Sequence, residues 1–363
     1  SCHHHEFISR RSLRFPRPTS ENQVKPLLSI ENLQVTFPSE DGLVRAVDDV
    51  SLTLNAGETV AIVGESGSGK TVTSLSVMGL HNRRTTQVAG AIKIQDGNQE
   101  VDVISGNSET VRRLRGRVVS MIFQDPMSSL HPYYSVGDQI SEAWLLYNKG
   151  DKQTAKKLSI EMLDLVGIPD PHKRVNEFPH QFSGGMRQRV MIAMALINNP
   201  KLLIADEPTT ALDVTVQSQI LQLIRDMQKE FNMAVILITH DLGVVAQVAN
   251  RVCVMYAGKI VEQASIDDIF YDSTHPYTIG LLGSIPRVDK FHGERLKVIG
   301  GQPPSLINLP SGCAFQPRCE FAKYVTLNKC KTDTPSLADV SNNHKVSCHL
   351  DKTQVLQLKK QAI

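Results

Sequence analysis

The chain has 363 residues, 41% apolar and 21% charged, with a net charge of +2. That length suits one large α/β domain with a smaller addition, and the near-neutral charge offers no electrostatic case for nucleic acid or an acidic surface. No apolar run approaches a bilayer-spanning helix. The densest, Val190–Ile197 and Met233–Ile238, have the length of a core helix or strand, so membrane work would need another chain to do the spanning. No secretory hydrophobic segment precedes the domain, which makes the cytosol the expected compartment.

Residues 1–26 are polar, arginine-rich and without periodicity, and read as a flexible leader. His3, His4 and His5 look like a tag remnant, with a native extension as the alternative. From Leu27 the texture changes. LLSIENLQVTF and VDDVSLTL alternate apolar and polar residues, as half-buried antiparallel strands do. After a turn at residues 55–57, ETVAIVG is continuously apolar and reads as a buried strand. A glycine-rich turn and a helix follow, as far as Met78. Residues from about 135 to 180 read as helices with polar faces. KLLIADEP and MAVILITHD are again buried strands, separated by the helix TVQSQILQLIRDMQKEF. That alternation implies a parallel sheet with crossover helices. RVCVMYAG is strand-like, with Cys253 as a buried, inert thiol. After about Ser265, Pro303, Pro304, Pro310 and Pro317 mark a loop-dominated C-terminal module.

Two segments carry chemistry directly. Gly64-Glu65-Ser66-Gly67-Ser68-Gly69-Lys70-Thr71 fits G-x-x-x-x-G-K-[ST] between a strand and a helix. The glycines let successive N–H groups wrap phosphates, and the helix N-terminus adds positive potential. Lys70 is expected to reach the β- and γ-phosphates, and Thr71 to ligate Mg²⁺. Leu202–Glu207 is an acidic strand end. Asp206 follows the apolar run, so its carboxylate should emerge at the carboxyl edge of the sheet and hold Mg²⁺ through water. Glu207 points elsewhere, to orient the attacking water or accept its proton.

Gln181-Phe-Ser-Gly-Gly-Met-Arg-Gln-Arg189 resembles the signature motif of the ABC ATPase family, and the resemblance covers nearly all of Leu27–Ile285. Gln124, in Phe123-Gln-Asp-Pro126, resembles the family's Q-loop. Thr210-Ala-Leu-Asp213 resembles its D-loop, and His240, in Thr239-His-Asp241, its switch histidine. All occur in the family's order. Ser183, Gly184 and Gly185 open a helix, so their N–H groups and hydroxyl can face a phosphate. The resemblance implies that this is the γ-phosphate of ATP bound to a partner subunit, with two nucleotides sandwiched between two such domains. It implies that His240 contacts the γ-phosphate on its own chain. Gln124 is expected to sense that phosphate, join the Mg²⁺ site and signal to membrane subunits. Asp213 is expected in the nucleotide site, and Phe37 to stack on adenine; a strand-core aromatic is the alternative for Phe37. The implied fold is an α/β, RecA-like P-loop ATPase core over residues 27–264, with an antiparallel β subdomain and a helical subdomain at about 125–190. Phe182 and Met186 stand where the family most often has Leu and Gln, and His131 where relatives usually carry Asn. The phosphate-facing Ser-Gly-Gly is intact.

His275-Pro-Tyr-Thr-Ile-Gly-Leu-Leu282 and Pro286-Arg287 resemble the extension of oligopeptide and dipeptide importer ATPases, here residues 265–363. Cys313, Cys319, Cys330 and Cys348 follow, with gaps of five, ten and seventeen residues. Four thiols in a loop-rich module argue for a metal rather than disulfides. The gaps are wider than in a usual zinc finger and do not fit a bacterial ferredoxin. The branch resemblance implies a four-iron iron–sulfur cluster (4Fe-4S). Zinc, with His344 or His349 as a substitute ligand, and unliganded thiols are the alternatives. A cluster here would tie loops together rather than carry electrons.

The resemblance therefore implies an ATP- and Mg²⁺-dependent motor for peptide uptake, with nickel or glutathione uptake as the alternative cargo. Its expected partners are a second ABC ATPase subunit, usually a different chain, two transmembrane permease subunits and an extracytoplasmic substrate-binding protein. Its expected place is the cytoplasmic face of the cell membrane. A soluble ABC ATPase acting on ribosomes or DNA is disfavoured by the single Walker A motif, the absence of a long heptad tract and the near-neutral charge. An inactive regulatory subunit is disfavoured by the intact Glu207 and His240.

Overall fold

The computed structural model describes residues 25–210, 212–285 and 299–361. The leader up to Val24, with Cys2 and His3–His5, lies outside them, as do Ala211 of the D-loop and Pro286-Arg287. The strands, in chain order, are β1 (Leu28–Ser39), β2 (Gly42–Leu54), β3 (Thr59–Val63), β4 (Gln87–Asp96), β5 (Gln99–Asp102), β6 (Val119–Ile122), β7 (Leu202–Asp206), β8 (Ala234–Thr239), β9 (Arg251–Tyr256), β10 (Lys259–Ser265), β11 (Ala338–Ser341) and β12 (His344–Val346).

β1, β2, β4 and β5 make an antiparallel sheet in the order β2-β1-β4-β5. Leu28 pairs with Leu54, and Leu28 with Ile94 on the other side. Leu28, Ile30, Leu33 and Val35 are buried on one strand, and Val47, Val50, Leu52 and Leu54 on the other. This is the burial that the alternating sequence predicts. The other strands form an eight-stranded sheet ordered β11-β12-β10-β9-β3-β8-β7-β6. Its centre is parallel, and β3, β7 and β8 are buried at every residue. Strands covered on both faces need continuous apolar runs.

Side chains alternate across this sheet. Ile62, Ile204, Ile236 and Ile238 pack towards the antiparallel sheet and Val77 of the helix Lys70–Val77. Leu203, Ala205, Val235 and Leu237 pack on the other side, against Ile220 and Ile224 of the helix Val214–Phe231 and against the helical region. That region joins Ile140, Leu163 and Ile192 from the helices Val136–Leu145, Lys152–Leu165 and Gly184–Leu196, with Phe182 from two residues before the last of these.

The strand register brings the chemistry together. Val63 lies opposite Thr239, Asp206 opposite Ile238, and Ile122 opposite Ala205. The segments leaving these level strand ends are the glycine-rich turn, Glu207, His240 and Gln124. The carboxyl edge of a parallel sheet is where ligands collect.

The expectation of a loop-dominated module after Ser265 needs correction. The structure places helices at Ile266–Asp272 and Pro276–Gly283, the hairpin β11–β12 and a terminal helix at Lys352–Gln361. β12 pairs with β10, Glu262 opposite Val346, so the main sheet continues through the expected boundary at 264. The outer edge of β10 would otherwise present open N–H and C=O groups, and β12 closes it. Glu262 is fully buried there and accepts hydrogen bonds from the N–H of Thr274 (2.7 Å) and of His275 (3.2 Å). His344 Nε2 lies 2.8 Å from the same carboxylate. Among the described residues, no helix is long and apolar enough to cross a membrane.

Candidate active site

The turn between β3 and the helix Lys70–Val77 cannot carry side chains at two of its glycines. A Cβ on Gly64 would stand 2.2 Å from the Met255 carbonyl oxygen. Gly69 has φ 103°, and a Cβ there would stand 2.4 Å from the Ala46 oxygen. Ser66 and Gly67 are exposed at the tip of the turn, while Ser68 and Lys70 are buried. Lys70 Nζ donates to the carbonyls of Gly64 (2.8 Å) and Glu65 (3.0 Å). Burial lowers the pKa of this ammonium, and the carboxylates of Glu207, Asp206 and Glu65 oppose that. The Ser68 hydroxyl is buried without a hydrogen-bond partner among the described residues.

Asp206 is only 2% exposed. Burial pushes its carboxyl pKa up, against a hydrogen bond from the Thr71 side chain; Glu207 adds to the rise and Lys70 opposes it. Its Oδ1 is buried and has no hydrogen-bond partner among the described residues. An anionic oxygen without a donor, beside a threonine hydroxyl, suits a hard divalent cation. Glu207 adopts φ 45°, the left-handed region, and its N–H donates to Ile238 O at 2.9 Å. For a non-glycine residue this conformation costs free energy and clusters at functional sites. Its consequence is that Asp206 and Glu207, adjacent in sequence, serve different neighbourhoods.

Three separate segments converge on Glu207. Gln124 Nε2 donates to Oε2 at 3.1 Å, and Thr210 Oγ1 donates to the same oxygen at 2.9 Å. His240 Nδ1 faces Oε1 at 3.2 Å. The expected Q-loop, D-loop and switch histidine thus meet on one carboxylate. Glu207 is half-buried, whereas the His240 side chain is 65% exposed.

Ser183 caps the helix Gly184–Leu196, accepting the Met186 N–H at 3.3 Å. Ser183 and Gly184 are exposed, and among the described residues no hydrogen bond joins them to Lys70, Glu207 or His240. Beneath them Phe182 is buried, with the Arg174 guanidinium 5.7 Å above its ring. The helix start is therefore anchored from below and open above. Asp213 caps the helix Val214–Phe231: its Oδ1 accepts the N–H groups of Thr215 and Val216, each at 3.0 Å. That structural duty was not anticipated from the motif. Phe37 is half-buried in β1 opposite Val44, outside the hydrophobic core of the sheet.

The four C-terminal thiols come together. Cys313, Cys319, Cys330 and Cys348 line one small cavity, with Phe315, Phe321 and His349 among its other walls. Burial pushes Cys319 up to about 12 and Cys348 up to about 11, and raises Cys313 and Cys330 as well. The Cys313 N–H donates to Cys330 O at 2.9 Å, tying two of the segments. Among the described residues, no three of these sulfurs lie within 4.8 Å of one another. His344 is not part of this cavity. Its Nε2 sits against Glu262 in the sheet core, and its place outside the cavity walls is what removes it as a substitute ligand for the thiols. His349 does line the cavity, with Nε2 2.8 Å from the carbonyl of Asp333.

Residues 47–210 match the ABC transporter family, and residues 261–325 match the oligopeptide/dipeptide transporter C-terminal region. The oligopeptide transport ATP-binding protein OppD of Haemophilus influenzae is 53% identical over 299 residues, 82% of this chain and 91% of that one. The dipeptide transport ATP-binding protein DppD of Bacillus subtilis is 51% identical over 330 residues, 90% of this chain and 95% of that one. The chain belongs to the ABC transporter family of ATP-binding proteins. Among solved structures, an ATP-binding cassette dimer in a post-hydrolysis state with ADP and phosphate superimposes with a TM-score of 0.59 and 25% identity, covering 66% of this chain and 98% of that one. The fold is thus the ABC cassette, and the chain is a transport ATPase.

Two residues of this ABC ATPase touch the phosphate loop without having been anticipated. The Tyr277 hydroxyl accepts the Glu65 N–H at 2.9 Å. Arg318 makes a two-pronged ion pair with the Glu65 carboxylate, Nη1 to Oε2 at 2.6 Å and Nη2 to Oε1 at 2.9 Å. Both come from the C-terminal part of the chain, and Arg318 lies 253 residues from Glu65. No local pattern signals so distant a pair. The one available sign was that Arg318 directly precedes a cysteine of the thiol set.

Proposed function

We propose that this ABC ATPase is the motor subunit of a peptide importer. The observation that carries the mechanism is the gathering of Gln124, Thr210 and His240 on Glu207, beside the phosphate loop at the carboxyl edge of the sheet. In this reading Lys70 exchanges its two loop carbonyls for the β- and γ-phosphates, and the N–H groups of the loop wrap the remaining oxygens. Thr71 and Asp206, with Gln124, would hold Mg²⁺, which would supply charge neutralisation at the phosphates; the Asp206 Oδ1, without a hydrogen-bond partner among the described residues, supports this. Glu207 orients the attacking water and takes its proton, while His240 stabilises the γ-phosphate.

The Ser183-Gly184-Gly185 start, exposed at its first two residues, is read as the surface offered to the ATP of a second ABC ATPase subunit, so each site is completed across an interface. Phe37, left out of the sheet core, is read as the adenine platform. Asp213 works at the same interface through the helix that it caps. Residues 27–264 act as the nucleotide-binding unit and 265–363 as its extension. Two transmembrane permease subunits and an extracytoplasmic substrate-binding protein complete the assembly, with this chain bound to the permeases on the cytoplasmic face of the membrane. The names of the relatives and the match over residues 261–325 support oligopeptides or dipeptides as cargo.

The four thiols are read as ligands of a four-iron cluster. A single zinc ion, with Zn–S about 2.3 Å, draws its sulfurs to about 4 Å from each other. That no three of these sulfurs fall within 4.8 Å of one another among the described residues favours a group larger than one ion. Such a group would stitch the segments around residues 313–319, 330 and 348 into one unit.

The test is reconstitution of the chain with its permeases in liposomes. ATP hydrolysis should rise when a peptide-loaded binding protein is added, with labelled peptide accumulating. Stimulation by nickel or glutathione and not by any peptide would refute the cargo. Full hydrolysis by the isolated chain at low concentration, where no dimer forms, would refute the shared site.

A further inference from the structure

The second position of the phosphate loop is an acid. Glu65 sits where a polyanion is to be bound, and a carboxylate there repels phosphate unless a cation cancels it. Lys70 makes no ion pair with it: its ammonium reaches the Glu65 main-chain carbonyl rather than the carboxylate, and the charge attraction between the two is shared with Glu207 and Asp206. Arg318 does pair with it. Its side chain is 4% exposed, and its guanidinium grips both carboxylate oxygens in the planar geometry that suits arginine.

Arg318 is itself held firmly. Its Nε donates to Gly300 O at 2.9 Å, and its guanidinium lies 5.8 Å from the centre of the Tyr256 ring. Tyr256, Tyr277 and Phe315 pack ring against ring, with centroids 4.6 to 5.4 Å apart. Tyr277 reaches from this cluster to the Glu65 N–H, so loop backbone and loop side chain are held from the same body. The segment carrying Arg318 is a run of tight turns: Gln316 N–H to Cys313 O at 2.9 Å, Arg318 N–H to Phe315 O at 3.0 Å, Cys319 N–H to Gln316 O at 3.2 Å. Its two ends are thiols of the cavity.

We propose that Arg318 is a positioning residue for ATP binding. It neutralises Glu65 and fixes the phosphate loop, and the four-thiol centre holds Arg318 in place, so that the state of that centre sets nucleotide affinity. The proposal rests on the nucleotide-site reading above, and on the thiols acting together rather than on which metal they hold.

The experiment is titration of the full chain with a fluorescent ATP analogue and Mg²⁺, with melting temperatures taken on the same samples. Arg318→Gln should weaken binding about tenfold. Adding Glu65→Gln to it should recover most of the loss, because the uncancelled charge is then gone. A purely structural role for Arg318 would show no such recovery. Cys319→Ser should weaken binding similarly, and the Arg318→Gln/Cys319→Ser double variant should be no weaker than the worse single one. If Cys319→Ser fails to fold, Phe315→Leu keeps every thiol and loosens the same segment, with the same non-additivity expected. Unchanged affinity in Arg318→Gln, failure of Glu65→Gln to restore it, or additive losses would each overturn the proposal. Lys70→Ala in the same assay separates the two readings. If it too binds normally, the nucleotide-site reading has failed and this one falls with it. If only Arg318→Gln binds normally, this one falls alone.

Discussion

Glu207 and His240 face each other across 3.2 Å from the ends of the neighbouring parallel strands β7 and β8. The carboxylate also accepts from Gln124 and Thr210, so its orientation is fixed by three segments at once. Glu207→Gln keeps the size of the side chain and loses the ability to take a proton. It should bind ATP within about twofold of wild type and lower turnover of the assembled transporter by about 10²- to 10⁴-fold. With ATP present it should also trap a dimer visible by light scattering. Near-normal turnover would remove Glu207 as the base.

Lys70 is buried and donates to the carbonyls of Gly64 and Glu65. Lys70→Ala removes both hydrogen bonds and the loop's own positive charge. ATP affinity, measured by equilibrium titration, should fall by about a hundredfold. An affinity within about twofold of wild type would refute the phosphate-loop assignment.

Ser183→Arg places a bulky cation at the open helix start. Loss of the cap to Met186 N–H should cost about 1 kcal/mol, a fall of a few degrees in melting temperature. ATP binding to this chain should be unchanged. If a second ATPase subunit completes the site as proposed, any residual hydrolysis in a Glu207→Gln background would come from that subunit's site and should be abolished by Ser183→Arg. Residual hydrolysis equal to that of Glu207→Gln alone would count against a shared site.

The parts legible in the sequence were those that local pattern encodes. Continuous apolar runs announced β3, β7 and β8, and the glycines at 64 and 69 announced a turn that the Met255 and Ala46 carbonyls leave no room to decorate. The convergence on Glu207 was foreshadowed by separate motifs, but its geometry depends on the level strand ends and on φ 45° at Glu207, which no residue type demands. The C-terminal part was least legible. β12 has three residues, too few for alternation to show, and it exists because β10 needs a partner. Arg318 and Tyr277 meet Glu65 only after that part has folded back on the cassette.

His275 offers a test of that docking. It is 1% exposed, its Nδ1 accepts the Tyr277 N–H at 3.1 Å, and burial pushes its pKa down to about 4 from 6.5, with Glu262 and a backbone bond at Ser347 opposing. Above pH 6.5 the imidazole is neutral in both folded and unfolded chains. As pH falls from 6.5 towards 4, the unfolded chain takes up the proton and the folded one does not. Stability is therefore lost on acidification through that window, by up to about 3 kcal/mol from this group, and the loss levels off below it. His275→Asn retains a capping side chain but does not titrate. Urea melts at pH 7 and pH 5 should show a smaller drop for His275→Asn than for wild type. Equal drops would show that His275 is accessible to protons when folded.

The thiol cavity makes a compositional prediction. Burial holds all four thiols protonated above their ordinary range, so that uncombined they would be unreactive near neutral pH. A metal bound there would take the place of those protons, which would give the buried sulfurs a reason to share one cavity. Anaerobic purification should yield about four irons and four sulfides per chain, with broad visible absorption. Cys330→Ser should lose that absorption and lower the melting temperature, while a Cys253→Ser control, altered in the sheet core away from the cavity, should keep it. One zinc per chain, without iron, would replace the cluster by a mononuclear site and require the sulfurs to close in further than they stand here. Full folding and stability without any metal would assign the cavity to packing alone, with Phe315 and Phe321 as its filling.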